Sequence, residues 1–338
     1  MDIAIDLGTS NTRIYINGKG IVFDKPTVVA FYVESNNIIA VGHEAFSMLG
    51  KTPAGMKVLY PLACGVIAES YLVEDMVNIF LKQVNRSRVV MPRVVGCIPG
   101  DITEVEKRAV VNAISSFGVR RVYLIESAKA AAMGCNLPVM SPHGSLICDI
   151  GGGTADIAVT SLGGIAVSKS IKGAGNMMDE EIIKYVRRKH NLHIGMAMAE
   201  KCKVEIGCLK APTEEKTFRL KGRHVIENLP RYMDIKSSEV MEAIQETAIS
   251  IVKGILDVLE QTPPELIGDI YTDGIVLSGG LSQLPGFTDL VSDYTGFGAL
   301  VAEDPSNCVI KGCGKSIDYI EEVEHLTEGE LNPLIAAY

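Results

Sequence analysis

The 338-residue chain has no Cys-x-x-Cys pair, no excess of basic residues and no apolar run of membrane-spanning length. Each absence excludes a class. The eight cysteines, Cys64, Cys97, Cys135, Cys148, Cys202, Cys208, Cys308 and Cys313, sit mostly in apolar runs. A disulfide or zinc framework is therefore not expected, and reduced, buried thiols in a cytosolic protein are. The net charge of −9 opposes non-specific attraction to nucleic acid, so DNA is not an expected partner. The N-terminus enters a strand-like run at once, without a basic segment and apolar signal core, and the expected location is cytoplasmic. His190 and His193 have metal-ligand spacing but lack an evident third ligand, so both are expected at the surface.

What is present fits a large, turn-rich α/β protein. Apolar residues make up 47% of the chain, with 33 Gly, 14 Pro and 22% charged residues, enough for a sizeable core and two domains. The central motif is Leu146-Ile147-Cys148-Asp149-Ile150-Gly151-Gly152-Gly153-Thr154-Ala155-Asp156-Ile157-Ala158-Val159, read as strand, glycine turn, strand. Asp149 ends the first strand. The three glycines are expected to supply positive φ and to leave no side chain between backbone and ligand. Such a turn can hold a phosphate on its N–H groups, and the neighbouring carboxylate can hold a metal ion through water. Taken singly, it reads more readily as a plain tight hairpin.

The same pattern occurs at Ala4-Ile5-Asp6-Leu7-Gly8-Thr9-Ser10-Asn11-Thr12-Arg13-Ile14-Tyr15-Ile16. Asp6 matches Asp149, Gly8 matches Gly151 and Ile14 matches Ile157. A third turn follows the apolar run Ile275-Val276-Leu277, at Ser278-Gly279-Gly280. Two facing hairpins with two aspartates would clamp the phosphates and Mg²⁺ of a nucleotide, and the third turn would pass beneath its sugar and base.

Between these motifs the chain alternates strands and helices. Strands are expected at Asp2–Asp6, Thr12–Ile16, Gly20–Phe23, Thr27–Tyr32, Val94–Ile98, Val122–Ile125, Ile165–Ile171 and Lys216–Leu220. Helices are expected at Glu69–Val84, Thr103–Phe117 with a Thr103/Glu106 capping box, Ala128–Met133, Asp179–His190, Ala197–Leu209 and Ser237–Leu259. Glu200 and Lys203 share a helix face, where they read either as a surface ion pair or as two groups reaching one ligand edge.

These three turns, together with Val41-Gly42-His43-Glu44-Ala45, Met48-Leu49-Gly50-Lys51-Thr52-Pro53 and Gly65-Val66-Ile67-Ala68, make the chain resemble the superfamily that joins actin, the heat-shock ATPase chaperones and the sugar kinases. The resemblance is closest to bacterial actins of the MreB type and covers nearly the whole chain. It implies an actin-like α/β fold of two large domains, each with a small inserted subdomain, around a nucleotide cleft. The first large domain would comprise residues 1–30, 67–136 and 318–338, its small subdomain 31–66. The second would comprise 137–178 and 255–317, its small subdomain 179–254.

The resemblance also implies ATP and Mg²⁺ as cofactors. Gly8, Thr9, Ser10, Asn11 and Thr12 would form one phosphate loop and Gly151, Gly152, Gly153 and Thr154 the other. Asp6 and Asp149 would stand near the metal, mainly through water. Glu200 and Lys203 would meet the ribose, and Gly279 and Gly280 the adenosine, although Leu281 stands where the family often has a third glycine. The implied partners are further copies of the chain in paired protofilaments, the inner face of the cytoplasmic membrane, and proteins of cell shape and cell-wall synthesis. Thr103–Phe117 would be a lateral-contact helix, and Val89, Val90 and Met91, flanked by Arg86, Arg88 and Arg93, would enter the membrane surface. The alternative is a small-molecule kinase or an assembly ATPase of the same superfamily. A chaperone is disfavoured because the chain ends soon after the third turn.

One departure bears on chemistry. MreB proteins usually read Ile-Glu-Glu-Pro where this chain reads Ile125-Glu126-Ser127-Ala128, so Ser127 replaces the glutamate that orients the attacking water. Losing a general base typically costs about 10²–10⁴-fold in rate, so weak ATP hydrolysis is expected, with Thr154 retained and Asp156 as a compensating base.

Overall fold

Each glycine-tipped hairpin opens a sheet of its own. The computed structural model describes residues 2–85, 91–211, 214–321 and 335–338. The first part of the chain comprises β1 (Asp2–Leu7), β2 (Asn11–Ile16), β3 (Gly20–Pro26), β4 (Val29–Tyr32), β5 (Ile38–Val41), α1 (His43–Ser47), β6 (Met56–Leu59), β7 (Leu62–Ala63), β8 (Val66–Ile67), α2 (Ser70–Val84), β9 (Arg93–Ile98), α3 (Glu104–Ser115), β10 (Arg121–Glu126) and α4 (Ser127–Gly134). The second part begins with β11 (Ser145–Ile150), β12 (Thr154–Ser161), β13 (Gly164–Lys172), α5 (Gly175–His190), β14 (Leu192–His193), α6 (Met196–Ile206), β15 (Thr217–His224) and β16 (Pro230–Lys236). It continues with α7 (Ser237–Gln261), α8 (Pro264–Asp273), β17 (Ile275–Ser278), α9 (Phe287–Thr295), β18 (Ala299–Val301) and α10 (Cys308–Ser316), and β19 (Ala336–Ala337) lies near the C-terminus.

The two main sheets repeat one plan. In the first, ordered β19-β10-β9-β1-β2-β3, β1 pairs antiparallel with β2 and parallel with β9. In the second, ordered β13-β12-β11-β17-β18, β11 pairs antiparallel with β12 and parallel with β17. Every residue of β11 is buried, which is why its sequence is nearly continuous in apolar residues rather than alternating.

The helical stripes behave as their spacing predicts. α2 buries Leu72, Val73, Met76, Val77, Phe80 and Leu81 against the first sheet, each such side chain contributing about 1.5–3 kcal/mol. At α3, Thr103 Oγ1 accepts from Glu106 N at 3.2 Å and Glu106 Oε2 accepts from Thr103 N at 2.6 Å, the expected reciprocal cap. The helix ends just ahead of Gly118, at φ 82°.

α4 and α10 pack on each other, α4 touching β11 and β12 while α10 lies on β1, β2 and β9. Their side chains share one core with Ala4 and Val95 of the first sheet and Ile147, Ala158 and Val276 of the second. This helix pair is the layer that joins the two halves. Thus α10, within the 255–317 segment expected for the second domain, lies against the first sheet.

Two three-stranded sheets, β5-β4-β6 and β14-β15-β16, fall largely within the segments expected as small insertions. The strand expected at Lys216–Leu220 extends to His224 and pairs with Pro230–Lys236. On β15 the cationic Arg219, Lys221 and Arg223 face outward and Phe218, Leu220 and His224 inward, so only half of the pattern is apolar. Among the described residues no helix is long and apolar enough to cross a membrane.

Candidate functional site

The hairpin repeat read from sequence holds residue by residue. Ile5 pairs with Ile14 and Asp6 with Arg13 in one hairpin; Cys148 pairs with Ile157 and Asp149 with Asp156 in the other. The reason for the glycines differs from the expectation. None of Gly8, Gly151, Gly152 and Gly153 has positive φ. A Cβ on Gly152 would stand 2.0 Å from Ser10 Oγ, and one on Gly153 would stand 2.2 Å from Thr9 Oγ1. Gly152 and Gly153 are therefore glycine because the two hairpins approach each other tip to tip, whereas a Cβ on Gly8 would meet Asn11 O of its own hairpin at 2.6 Å. Gly279 does need its positive φ, 82°, and a Cβ there would also overlap the Ile150 backbone.

The start of α5 is drawn into this junction. Gly175 N and Asn176 N donate to Gly151 O and Gly152 O at 3.1 and 2.8 Å. The helix therefore begins at Gly175, four residues before the expected Asp179. Gly173-Ala174-Gly175-Asn176 is poor in strong helix formers, but the hairpin carbonyls satisfy N–H groups that a helix start leaves free.

Between the hairpins lies a cavity of about 600 Å³. Its wall includes Asp6, Gly8, Thr9, Ser10, Asn11, Ser127, Asp149, Gly151, Gly152, Gly153, Thr154, Asp156, Glu200, Lys203, Gly279 and Gly280. Of the residues expected around a nucleotide, Thr12 alone is off this wall. It is fully buried, 2.9 Å from Thr27 Oγ1, which in turn donates to Gly8 O at 2.7 Å. Strand alternation turns Thr12 away from the cavity, where it braces the loop from behind. Glu126 is likewise absent from the wall, whereas Ser127, at the start of α4, is part of it.

Arg13, Gly175, Asn176, Gln283 and Ser306 also line the cavity. Arg13 could have been found from strand pairing, since it is the cross-strand partner of Asp6. Nothing local marks Gln283 and Ser306, which meet through a 3.1 Å hydrogen bond between separate turns.

Three aspartates dominate the electrostatics. Asp149 is 9% exposed and accepts from Ser278 Oγ at 2.7 Å, yet burial, with Asp156 and Asp6 nearby, pushes its carboxyl up to about 7. Burial also raises Asp6, against the pull of Arg13 and of Cys97, whose Sγ donates at 3.0 Å. Asp156 is raised by burial although the Ser170 and Thr154 hydroxyls donate to its two oxygens at 2.5 and 2.9 Å. A cation bound beside such carboxylates would favour their ionised form.

Among the described residues no group of three His, Cys, Asp or Glu side chains converges to ligate a metal directly. The donor set of two buried carboxylates beside two anion-sized backbone turns fits a hard divalent cation held through water and phosphate oxygens. Asp6 and Asp149 would hold its waters, and the ion would neutralise phosphate charge there. Of the two histidines expected at the surface, His193 is exposed, whereas His190 is half-buried and lies 2.9 Å from Glu239 Oε1.

Glu200 and Lys203 form no ion pair with each other. Lys203 Nζ lies 2.8 Å from Asp179 Oδ1 and donates to Gly175 O at 2.7 Å, tying α6 to the start of α5. Burial outweighs Lys203 at Asp179 and pushes that carboxyl up to about 6. Lys203 thus stiffens the cavity edge, and Glu200 is left to face it.

Two sheets of the same plan, each presenting an acid-ended hairpin to one cavity and joined by a packed helix pair, define a protein of the actin-like fold. The chain is similar to the cell shape-determining protein MreB of Escherichia coli K12, 42% identical over 95% of this chain and 94% of that protein. It is also similar to the crystal structure of MreB5 of Spiroplasma citri bound to ADP, with a TM-score of 0.91 and 35% identity, covering 96% of this chain and 98% of that one. The AMPPNP-bound MreB5 structure matches with a TM-score of 0.89 and 36% identity, covering 95% of this chain and 96% of that one. The MreB/Mbl protein family model matches residues 1–325, and the chain belongs to that family.

Proposed function

We propose that this protein binds Mg·ATP between its two hairpins and, in that closed state, assembles into filaments of a cell-shape cytoskeleton beneath the cytoplasmic membrane, guiding cell-wall synthesis. The observation that carries this is the convergence of both hairpins, with Asp6 and Asp149, on one cavity. A ligand held from both sides fixes the angle between the two halves, and a fixed angle is what a repeating subunit contact needs. The relatives' cell-shape role and the nucleotides bound by MreB5 support the reading. Nothing about the cavity favours the kinase alternative.

Membrane attachment would use the segment around Met91. Val89 and Val90 lie outside the described residues, and Met91 is 64% exposed. Arg93, expected among the flanking cations, is instead committed to Asp2, with Nε–Oδ1 and Nη2–Oδ2 distances of 2.8 and 3.0 Å. Ultracentrifugation of the purified chain tests the function: pelleting should require Mg·ATP and, at lower protein concentration, anionic vesicles. A chain that stays monomeric at high concentration with Mg·ATP refutes filament formation.

Hydrolysis is proposed to be slow. Ser127 stands on the wall where a carboxylate would polarise water, and its short, uncharged side chain cannot do so. Ser127→Glu should accelerate phosphate release by about 10-fold or more. No acceleration in a variant that still binds ATP removes Ser127 as the cause.

A further inference from the structure

Asp101 sits in the loop between β9 and α3 of the first half, outside the cavity wall, yet its Oδ2 accepts from the backbone N of Ser170 on β13 of the second half at 2.9 Å. β13 is the edge strand of the second sheet, so this N–H has no neighbouring strand to bond. Ser170 lies opposite Asp156 in the β12–β13 pairing, and its hydroxyl donates to Asp156 Oδ1 at 2.5 Å. The other oxygen of Asp156 accepts from Thr154 Oγ1 at 2.9 Å. The four groups form an unbroken relay from one half of the molecule, across the cleft, to the cavity.

We propose that Ser170 and Asp101 are positioning residues that couple closure of the cleft to ATP hydrolysis, acting through Asp156 on Thr154. This rests on the nucleotide reading above. A hydroxyl has one proton and two lone pairs. With its proton committed to Asp156, Thr154 Oγ1 turns its lone pairs to the cavity, where they accept a hydrogen from water and aim the water oxygen at the terminal phosphorus. That oxygen bonds to phosphorus, the bond from phosphorus to the bridging oxygen breaks, and the water proton finishes on the released phosphate. Asp156, engaged at both oxygens by hydroxyl donors, holds Thr154 in this orientation. Ser170 holds Asp156. Asp101 holds the strand carrying Ser170 only while the two halves are together, so an opened cleft releases the far end of the relay. The arrangement supplies orientation at the site where Ser127 supplies no carboxylate.

The test uses the full-length chain and measures ATP affinity and single-turnover phosphate release separately. Ser170→Ala should slow phosphate release about 10-fold with ATP affinity changed less than about 3-fold, and Ser170→Thr, which keeps the hydroxyl, should restore most of the rate. Asp101→Ala should slow release by about 3-fold or more, whereas Asp101→Asn, whose side-chain oxygen still accepts the N–H, should remain near the native rate. Unchanged release in Ser170→Ala, or an Asp101→Asn variant as slow as Asp101→Ala, overturns the relay. A native chain that binds ATP but releases no phosphate also overturns it while leaving the binding reading intact. A chain that binds no nucleotide overturns the reading beneath it.

Discussion

Asp149→Asn should make the ligand-free chain more stable at pH 8 and, in the same protein, weaken Mg·ATP binding by about 10–100-fold. The two effects have one origin. Burial raises the Asp149 carboxyl from 3.8 to about 7. Between those values the unfolded chain has released its proton while the folded chain keeps it, so folding stability falls as pH rises through this window. At 1.36 kcal/mol per unit, the loss above pH 7 is at most about 4 kcal/mol, and water entering the cavity reduces it. Asparagine removes the charge while its oxygen can still accept from Ser278 Oγ, so about 1–3 kcal/mol should be regained at pH 8 and little below pH 4. The same charge is what a hydrated cation needs, so the stabilised variant should bind Mg·ATP poorly and fail to pellet. Chemical denaturation across pH, paired with calorimetric titration of Mg·ATP, checks both halves. A variant equally stable at pH 4 and 8 relative to native, or one with native affinity, refutes the role given to Asp149.

Gly312→Ala should cost about 3 kcal/mol or more, far beyond an ordinary glycine substitution. A Cβ at Gly312 would lie 1.7 Å from Ala130 O, and one at Gly134 would lie 1.9 Å from Cys308 O. These are backbone atoms, so no rotamer change relieves the overlap and α4 must move off α10. Overpacking a rigid core costs about 1–3 kcal/mol, and here the misfit falls on the helix pair joining both sheets. Against a typical margin of about 5–15 kcal/mol that is a large fraction. Gly268 in α8 is the control, because a Cβ there meets nothing within 4 Å. Gly268→Ala should stabilise by about 0.5–1 kcal/mol. Urea unfolding of the two variants should shift in opposite directions, and equal midpoints would refute the packing argument.

The sequence carried the local parts of this molecule with little loss. The hairpins, the matched Asp6 and Asp149, the α2 stripe and the Thr103/Glu106 cap are all set by residues within a few positions of one another, where strand alternation, helical spacing and backbone N–H groups impose the pattern. The family resemblance was legible for the same reason, since its motifs are continuous. The hairpin of β15 and β16 was only partly legible, because a strand with cations on one face offers half the usual apolar signal.

What only the tertiary structure decided depends on groups far apart in the chain. Gly152 and Gly153 are glycine because Ser10 and Thr9 arrive from the other hairpin, not because their own φ demands it. Lys203 is bound by Asp179, and Thr12 turns away from the cavity to brace Thr27 and Gly8. The clasp of Asp101 on Ser170 exists because an edge strand in one half presents a free N–H to a loop in the other. Sequence determines which groups each element offers through short-range geometry; which groups meet is fixed only when the α4–α10 layer brings the two sheets together.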